Sequence, residues 1–134
     1  MKNAIWFGRI QIIIIILFVF SKSWLRPFVL KRDAPVFLDI TVLSLPNLYE
    51  GVVGVLVLSF MGLYINKRWN KSKLGNHTIY ILATILAAIF VITQEVKLHN
   101  LGGNNVYDPY DVIFSFIGLT LGFTIVWMKG PTAD

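Results

Sequence analysis

The sequence contains no cysteine, and only 14% of its residues are charged. The lack of cysteine excludes disulfide bonds, thiolate metal sites and cysteine nucleophiles. Soluble domains are about 45–50% apolar and about 25% charged, whereas this chain is 56% hydrophobic, with a mean hydropathy of +0.70. A chain of 134 residues cannot bury so many apolar side chains away from water, because small domains keep much of their surface exposed. We therefore expect lipid to surround most of it.

Four apolar runs divide the chain, each close to the length of about 20 residues that a helix needs to cross a bilayer. They cover about residues 5–24, 48–65, 79–96 and 112–128. No small-residue cleavage site follows the first run, so we expect a retained helix and not a signal peptide. All four tryptophans fall at the ends of these runs, which is typical of membrane interfaces. The sequence predicts an all-α integral membrane four-helix bundle, a single transmembrane domain over residues 1–134.

The stretch between the first two runs, residues 21–47, is too polar to span a bilayer and too apolar to be a free loop. It contains Pro27, Pro35 and Pro46, and a proline inside a helix removes a backbone donor and clashes with the preceding turn. These prolines indicate that no single long helix runs through the stretch. We therefore expect an interfacial or re-entrant segment between helices 1 and 2.

The basic residues give a net charge of +5 and a pI near 9.6, and they flank the apolar runs instead of forming one stripe. Flanking lysine and arginine set membrane topology and meet anionic lipid head groups. We therefore expect the lipid bilayer, and not nucleic acid, as the partner of these charges. The compact basic loop over residues 67–73 favours a topology with both termini in the cytoplasm.

An even number of spans places the carboxylates at the span ends on one face of the membrane, together with Arg26. Ionisable groups near lipid are costly and usually paired. The pattern therefore predicts one polar site, for which the candidate residues are Glu95, Asp108, Asp111, Ser115, Glu50 and Arg26. No spacing typical of a metal or cofactor site accompanies them, so we predict neither a metal nor a cofactor.

A second interpretation of the same carboxylates is helix capping. Asp108, Pro109 and Asp111 have the order of an N-cap, a proline at the first helical position and an acid in the first turn. Glu50 opens the second predicted span, where the helix dipole also favours an anion. Glu95 ends a helix, where the dipole disfavours an anion, so a cap does not explain it and Arg26 is a candidate partner.

The fourth span carries Gly118 and Gly122, a Gly-x-x-x-Gly pair that lets two membrane helices approach closely. Asp111 and Ser115 precede them at helical spacing, so all four residues share one stripe. We expect this stripe to face the bundle and the two glycines to serve helix packing.

The stretch over residues 94–122 resembles the VanZ-like family of small bacterial membrane proteins. In that family a glutamate closes the penultimate helix, and an Asp-x-x-Asp pair precedes two glycines of the last helix. The matching residues here are Glu95, Asp108, Asp111, Gly118 and Gly122, while Ser115 stands in place of the usual asparagine. The resemblance implies a multi-pass cell-envelope protein of the bacterial inner membrane.

Together these patterns predict a VanZ-like envelope protein whose outward-facing polar pocket engages a lipid-linked or cell-wall component. The alternative is a non-catalytic accessory subunit that packs against a larger membrane protein complex. A small transporter or channel is less favoured, because charged residues are missing from the centres of all four runs. No motif indicates an enzyme.

Overall fold

The computed structural model describes residues 3–31, 35–69, 74–95 and 109–130, and only the backbone of residues 30, 94 and 95. Every regular element within these ranges is helical. In chain order the elements are α1 (Ala4–Phe20), a π-helical turn (Ser21–Leu25), α2 (Arg26–Leu30), α3 (Val36–Trp69), α4 (Asn76–Glu95) and α5 (Pro109–Lys129).

Four helical rods are long and apolar enough to cross a membrane, which confirms the predicted all-α architecture with four spans. They cover Ala4–Val29, Val36–Trp69, Asn76–Thr93 and Pro109–Lys129. A helix of the length of α5, 21 residues, spans about 30 Å, the thickness of a bilayer's hydrocarbon core. With 34 residues, α3 is about 50 Å long and exceeds that thickness.

The first rod continues without a break from α1 through the π-helical turn into α2. The backbone N–H of Arg26 donates to the carbonyl of Ser21, five residues earlier, which makes this turn wider than an α-helical one. Pro27 follows directly, and its ring needs space that a regular turn denies. The wide turn supplies that space, so residues 21–30 prolong the first helix.

Helix α3 also runs through a proline, Pro46, so the second helix starts well before the predicted span over residues 48–65. Neighbouring helices in a membrane often compensate for the hydrogen bond that a proline removes. Here α5 contacts α3 on both sides of Pro46, at Ser44 and at Leu48. The helix therefore begins at Val36 instead of Leu48, and no re-entrant segment occurs in the part of the chain that the structure describes.

Helix α3 is the centre of the bundle, since α5, α4 and α1 all pack against it. The apolar side chains at the centre of the core come from all four rods: Phe7, Val55, Leu56, Leu63, Tyr80, Ala87, Leu119 and Val126. The contact with α5 is the most extensive. Successive contacts advance along both chains together, from Ser44 with Asp111 to Val55 with Gly122, so α3 and α5 are parallel.

Glycines bring the backbones of α3 and α5 into direct contact. A Cβ added to Gly51 would lie 2.9 Å from the carbonyl oxygen of Ser115, and one added to Gly118 would collide with the carbonyl of Leu48. A Cβ on Gly122 would lie 3.1 Å from the carbonyl oxygen of Val52. Such close approach is what small residues allow between membrane helices, where dispersion contacts replace the hydrophobic effect.

The first rod packs differently, mainly against α3. Two aromatic contacts connect it to α3: Phe7 stacks on Phe60, and Phe18 meets Tyr49 edge to face. The order of these contacts shows that α1 is antiparallel to α3. Most apolar side chains of α1 are exposed on its remaining surface, as expected of a helix that faces lipid.

We predict that Gly118→Ala destabilises the bundle while Gly54→Ala does not. The new methyl group on residue 118 would overlap the Leu48 backbone, which cannot move without separating α3 from α5. A Cβ on residue 54 would make an ordinary contact of 3.5 Å with Ala87. Thermal unfolding in detergent should show a loss of about 1–3 kcal/mol or more for Gly118→Ala. Gly54→Ala should be neutral or stabilising by up to about 1 kcal/mol. Equal stability of the two variants would contradict the described contact.

Candidate functional site

A cavity of about 740 Å³ lies between α1, α3 and α4. Its walls consist of side chains from these three helices: Ile15 and Phe18; Tyr49, Glu50, Val53, Gly54, Val57 and Leu58; and Ala87, Phe90 and Val91. All are apolar except the phenol of Tyr49 and the carboxyl group of Glu50. The volume falls within the range of about 300–1,000 Å³ that is usual for ligand pockets. A mostly apolar lining with few polar groups is also typical of such pockets.

The cavity exists because α1 and α4 flank α3 without packing extensively against each other. One face of α3 forms the floor, where residues follow at intervals of three and four from Glu50 through Val53 and Gly54 to Leu58. Gly54 has no side chain, so α4 lies close to α3 on one side of the floor. The gap between α1 and α4 thus opens sideways, toward the surface that a bilayer would cover.

The polar groups lie at one end of the cavity. Tyr49 and Glu50 stand nine and eight residues before Leu58, and eight residues correspond to about 12 Å along the helix axis. The ring of Phe18 contacts that of Tyr49, with centroids 6.2 Å apart. The ammonium group of Lys22 lies 5.9 Å from the centroid of the same Phe18 ring, one helical turn farther toward the polar end. The cavity is therefore amphipathic along its length.

Glu50 has a different position from the one the sequence predicts. Because α3 begins at Val36, Glu50 lies well inside the helix, and the expectation of a first-turn position is wrong. The helix dipole acts mainly on the terminal turn and does not account for a carboxyl group this far in. Glu50 is half-buried and faces the cavity, while the next residue, Gly51, faces α5.

Asp111 and Ser115 belong to α5 and lie in its contact with α3, away from the cavity. The hydroxyl group of Ser44 donates to a carboxylate oxygen of Asp111 at 3.1 Å. The hydroxyl group of Ser115 is fully buried and has no hydrogen-bond partner among the residues that the structure describes. Gly118 and Gly122 continue the same stripe into the close contact with α3.

Among the described candidate residues, Asp111 and Ser115 therefore do not share a pocket with Glu50. Glu50 is six residues beyond Ser44 along α3, which places it about 9 Å along the helix axis from the level of Asp111. Glu50 faces α1 and α4, whereas Ser44 faces α5. Arg26 is half-buried at the start of α2. The Glu95 side chain and all of Asp108 lie outside the described residues. Within the described ranges, no three histidine, aspartate or glutamate side chains converge as metal ligands.

We predict that Ser44 and Asp111 stabilise the bundle as a pair. Single variants Ser44→Ala and Asp111→Asn and the double variant form a double-mutant cycle for the free energy of unfolding in detergent. Such hydrogen bonds between membrane helices contribute about 0.6 kcal/mol on average and up to about 1.7 kcal/mol, so we expect a coupling energy in this range. Additive effects of the two single changes would show that the two side chains do not interact.

Comparison with known proteins gives no relative: no protein-family model matches the chain, and neither a curated protein nor a solved structure matches it significantly. The cavity and the contact between α3 and α5 are therefore interpreted from their own chemistry.

Proposed function

We propose that this protein binds an amphipathic, lipid-type molecule between its membrane helices. The observation that carries the proposal is the amphipathic cavity between α1, α3 and α4, with Glu50 at one end and apolar walls elsewhere. A molecule with a polar head and a hydrocarbon tail matches this distribution, since each part meets groups of its own polarity. The lateral gap between α1 and α4 gives such a molecule a route from the bilayer that avoids water.

The resemblance to the VanZ-like family adds a cellular setting to this proposal. It implies the bacterial cell envelope, where lipid-linked components are amphipathic molecules of the required kind. The proposed binding site differs from the outward pocket of Glu95, Asp108 and Asp111, because the cavity lies at the level of the membrane spans. Binding, and not a reaction, is the activity that this site supports.

The proposed location is the bacterial inner membrane, with both termini in the cytoplasm. Lys67 and Arg68 end α3 on the cytoplasmic side in this orientation, which the excess of basic residues on that side favours. On the opposite side, the rings of Phe20, Trp24 and Phe28 stack along the first rod with centroids 5.2 Å apart. Aromatic rings concentrate at the membrane interface. This supports an interfacial position for α2 and for the first turns of α3.

The orientation predicts which positions an impermeant thiol reagent reaches. Because the chain has no native cysteine, single variants Lys31→Cys and Lys67→Cys can be labelled without background. We expect a membrane-impermeant maleimide to label Lys31→Cys in intact cells and Lys67→Cys only after permeabilisation. Labelling of both in detergent is the control. The reverse pattern would invert the topology, and equal labelling in intact cells would contradict a crossing between the two positions.

A second candidate function is an accessory subunit of a larger membrane complex. Its support is the exposure of the first rod. Only 11% of the most apolar 18-residue segment of this rod is buried within the chain. A protein partner seated on α1 would cover that surface. A stoichiometric partner that survives purification in mild detergent and shields α1 from labelling would favour this candidate over the binding of a lipid-type molecule.

The lipid-binding proposal predicts that filling the cavity blocks access. Val53→Phe places a ring among the cavity walls, whereas Ile89→Phe adds the same ring at an exposed position on α4. A photoreactive dodecanol analogue should label peptides of the cavity walls in the natural protein. We expect Val53→Phe to lower this labelling about tenfold, the equivalent of about 1.4 kcal/mol, and Ile89→Phe to leave it unchanged. Equal labelling of the two variants would contradict the proposal.

A further inference from the structure

The side chain of Glu50 is the one carboxyl group among the described residues that line the cavity, and no lysine, arginine or histidine is among them. It is half-buried, and within the described part of the chain it forms no hydrogen bond or ion pair. An ionised carboxylate among apolar side chains at membrane depth is costly unless a cation or several donors compensate it. Among the described residues of the lining, the phenol of Tyr49 is the only other polar group. The described part of the chain thus offers Glu50 no positive partner at the polar end of the cavity.

Lys22, which lies against a residue of the lining, does not act as this partner. The ammonium group of Lys22 lies over the ring of Phe18, 5.9 Å from its centroid, and Phe18 separates it from the cavity. Lys22 is itself exposed, one turn farther toward the membrane surface. Its charge remains outside the lining, so the net charge that the described wall residues present to a bound molecule is that of Glu50.

The apolar part of the cavity indicates that the ligand carries a hydrocarbon tail. From Glu50 to Leu58 the floor extends about 12 Å, and its walls there are apolar side chains of α1, α3 and α4. A hydrocarbon chain that enters through the gap between α1 and α4 would lie along this floor. Its head would then be held at the level of Glu50.

We propose that the cavity selects amphiphiles whose head group is a protonated amine, with Glu50 as the counter-ion. This inference rests on the proposed function and narrows it to one class of ligand. A protonated amine donates charge-assisted hydrogen bonds to the carboxylate, which are stronger than those between neutral groups. The pair forms where hydrocarbon surrounds both partners, so water competes little for either.

The test compares three single-chain probes of equal length in neutral maltoside micelles: dodecylamine, dodecanol and dodecanoate. Each competes with the photoreactive dodecanol analogue for labelling of the cavity walls. We expect dodecylamine to compete at a concentration about tenfold or more below that of dodecanol, since a hydrogen bond to a charged group contributes about this factor. Dodecanoate should compete least, because its carboxylate faces that of Glu50.

Variants identify the group responsible. Glu50→Gln keeps the shape of the side chain and should abolish the preference, so that dodecylamine and dodecanol compete at similar concentrations. Asp39→Asn removes a carboxylate from the same helix outside the cavity and should keep the preference. Lys22→Gln should keep or increase it, because it removes a nearby positive charge. The comparison of probes on the natural protein needs no variant, so an unstable Glu50→Gln protein does not prevent the test.

Each alternative outcome has a defined meaning. Equal competition by the amine and the alcohol, unchanged by Glu50→Gln, would overturn the inference and leave the binding of lipid-type molecules in place. A preference for dodecanoate that Lys22→Gln weakens would also overturn it, in favour of an anion site at the cavity entrance. Failure of the photoreactive analogue to label the cavity walls at all would overturn the proposed function itself.

Discussion

The arrangement of the whole bundle depends on the backbone contact between the parallel helices α3 and α5. Gly51, Gly118 and Gly122 remove the side chains that would keep the two helices apart, and a carbonyl of α3 occupies the position that a Cβ of Gly118 would need. In lipid, where apolar side chains gain little from leaving the solvent, such dense contact is a main source of attraction between helices. It also holds α3 in register on both sides of Pro46, and therefore permits the helix to continue there.

The position of the cavity follows from this contact. With α5 seated on one side of α3, α4 and the first rod occupy the remaining sides, where α4 contacts both α3 and α5 and the first rod packs mainly against α3. Phe7 and Phe18 of α1 contact α3, and the space between α1 and α4 remains open along the floor. Glu50 lies on the side of α3 that faces this space because it is one residue away from Gly51, a rotation of about 100° around the helix.

The sequence was sufficient to predict the four spans, because helices of the required length and polarity are the simplest way to satisfy backbone groups in lipid. It did not predict the course of residues 21–47. Proline rules describe isolated helices, and the π-helical turn before Pro27 and the packing of α5 beside Pro46 are tertiary effects. The site was also beyond prediction, because the depth of Glu50 depends on where α3 begins. The spacing of Glu50, Val53, Gly54 and Val57 on one helical face was the signal available.

The most direct test of the account is disulfide trapping between α3 and α5, which the absence of native cysteine makes unambiguous. In membranes, Ser44→Cys should form a disulfide with Asp111→Cys, since the natural side chains are within hydrogen-bonding distance. Ser44→Cys should not crosslink with Val126→Cys, which lies about 22 Å farther along α5. Crosslinking of the second pair, or none of the first, would contradict the parallel contact on which the bundle and its cavity depend.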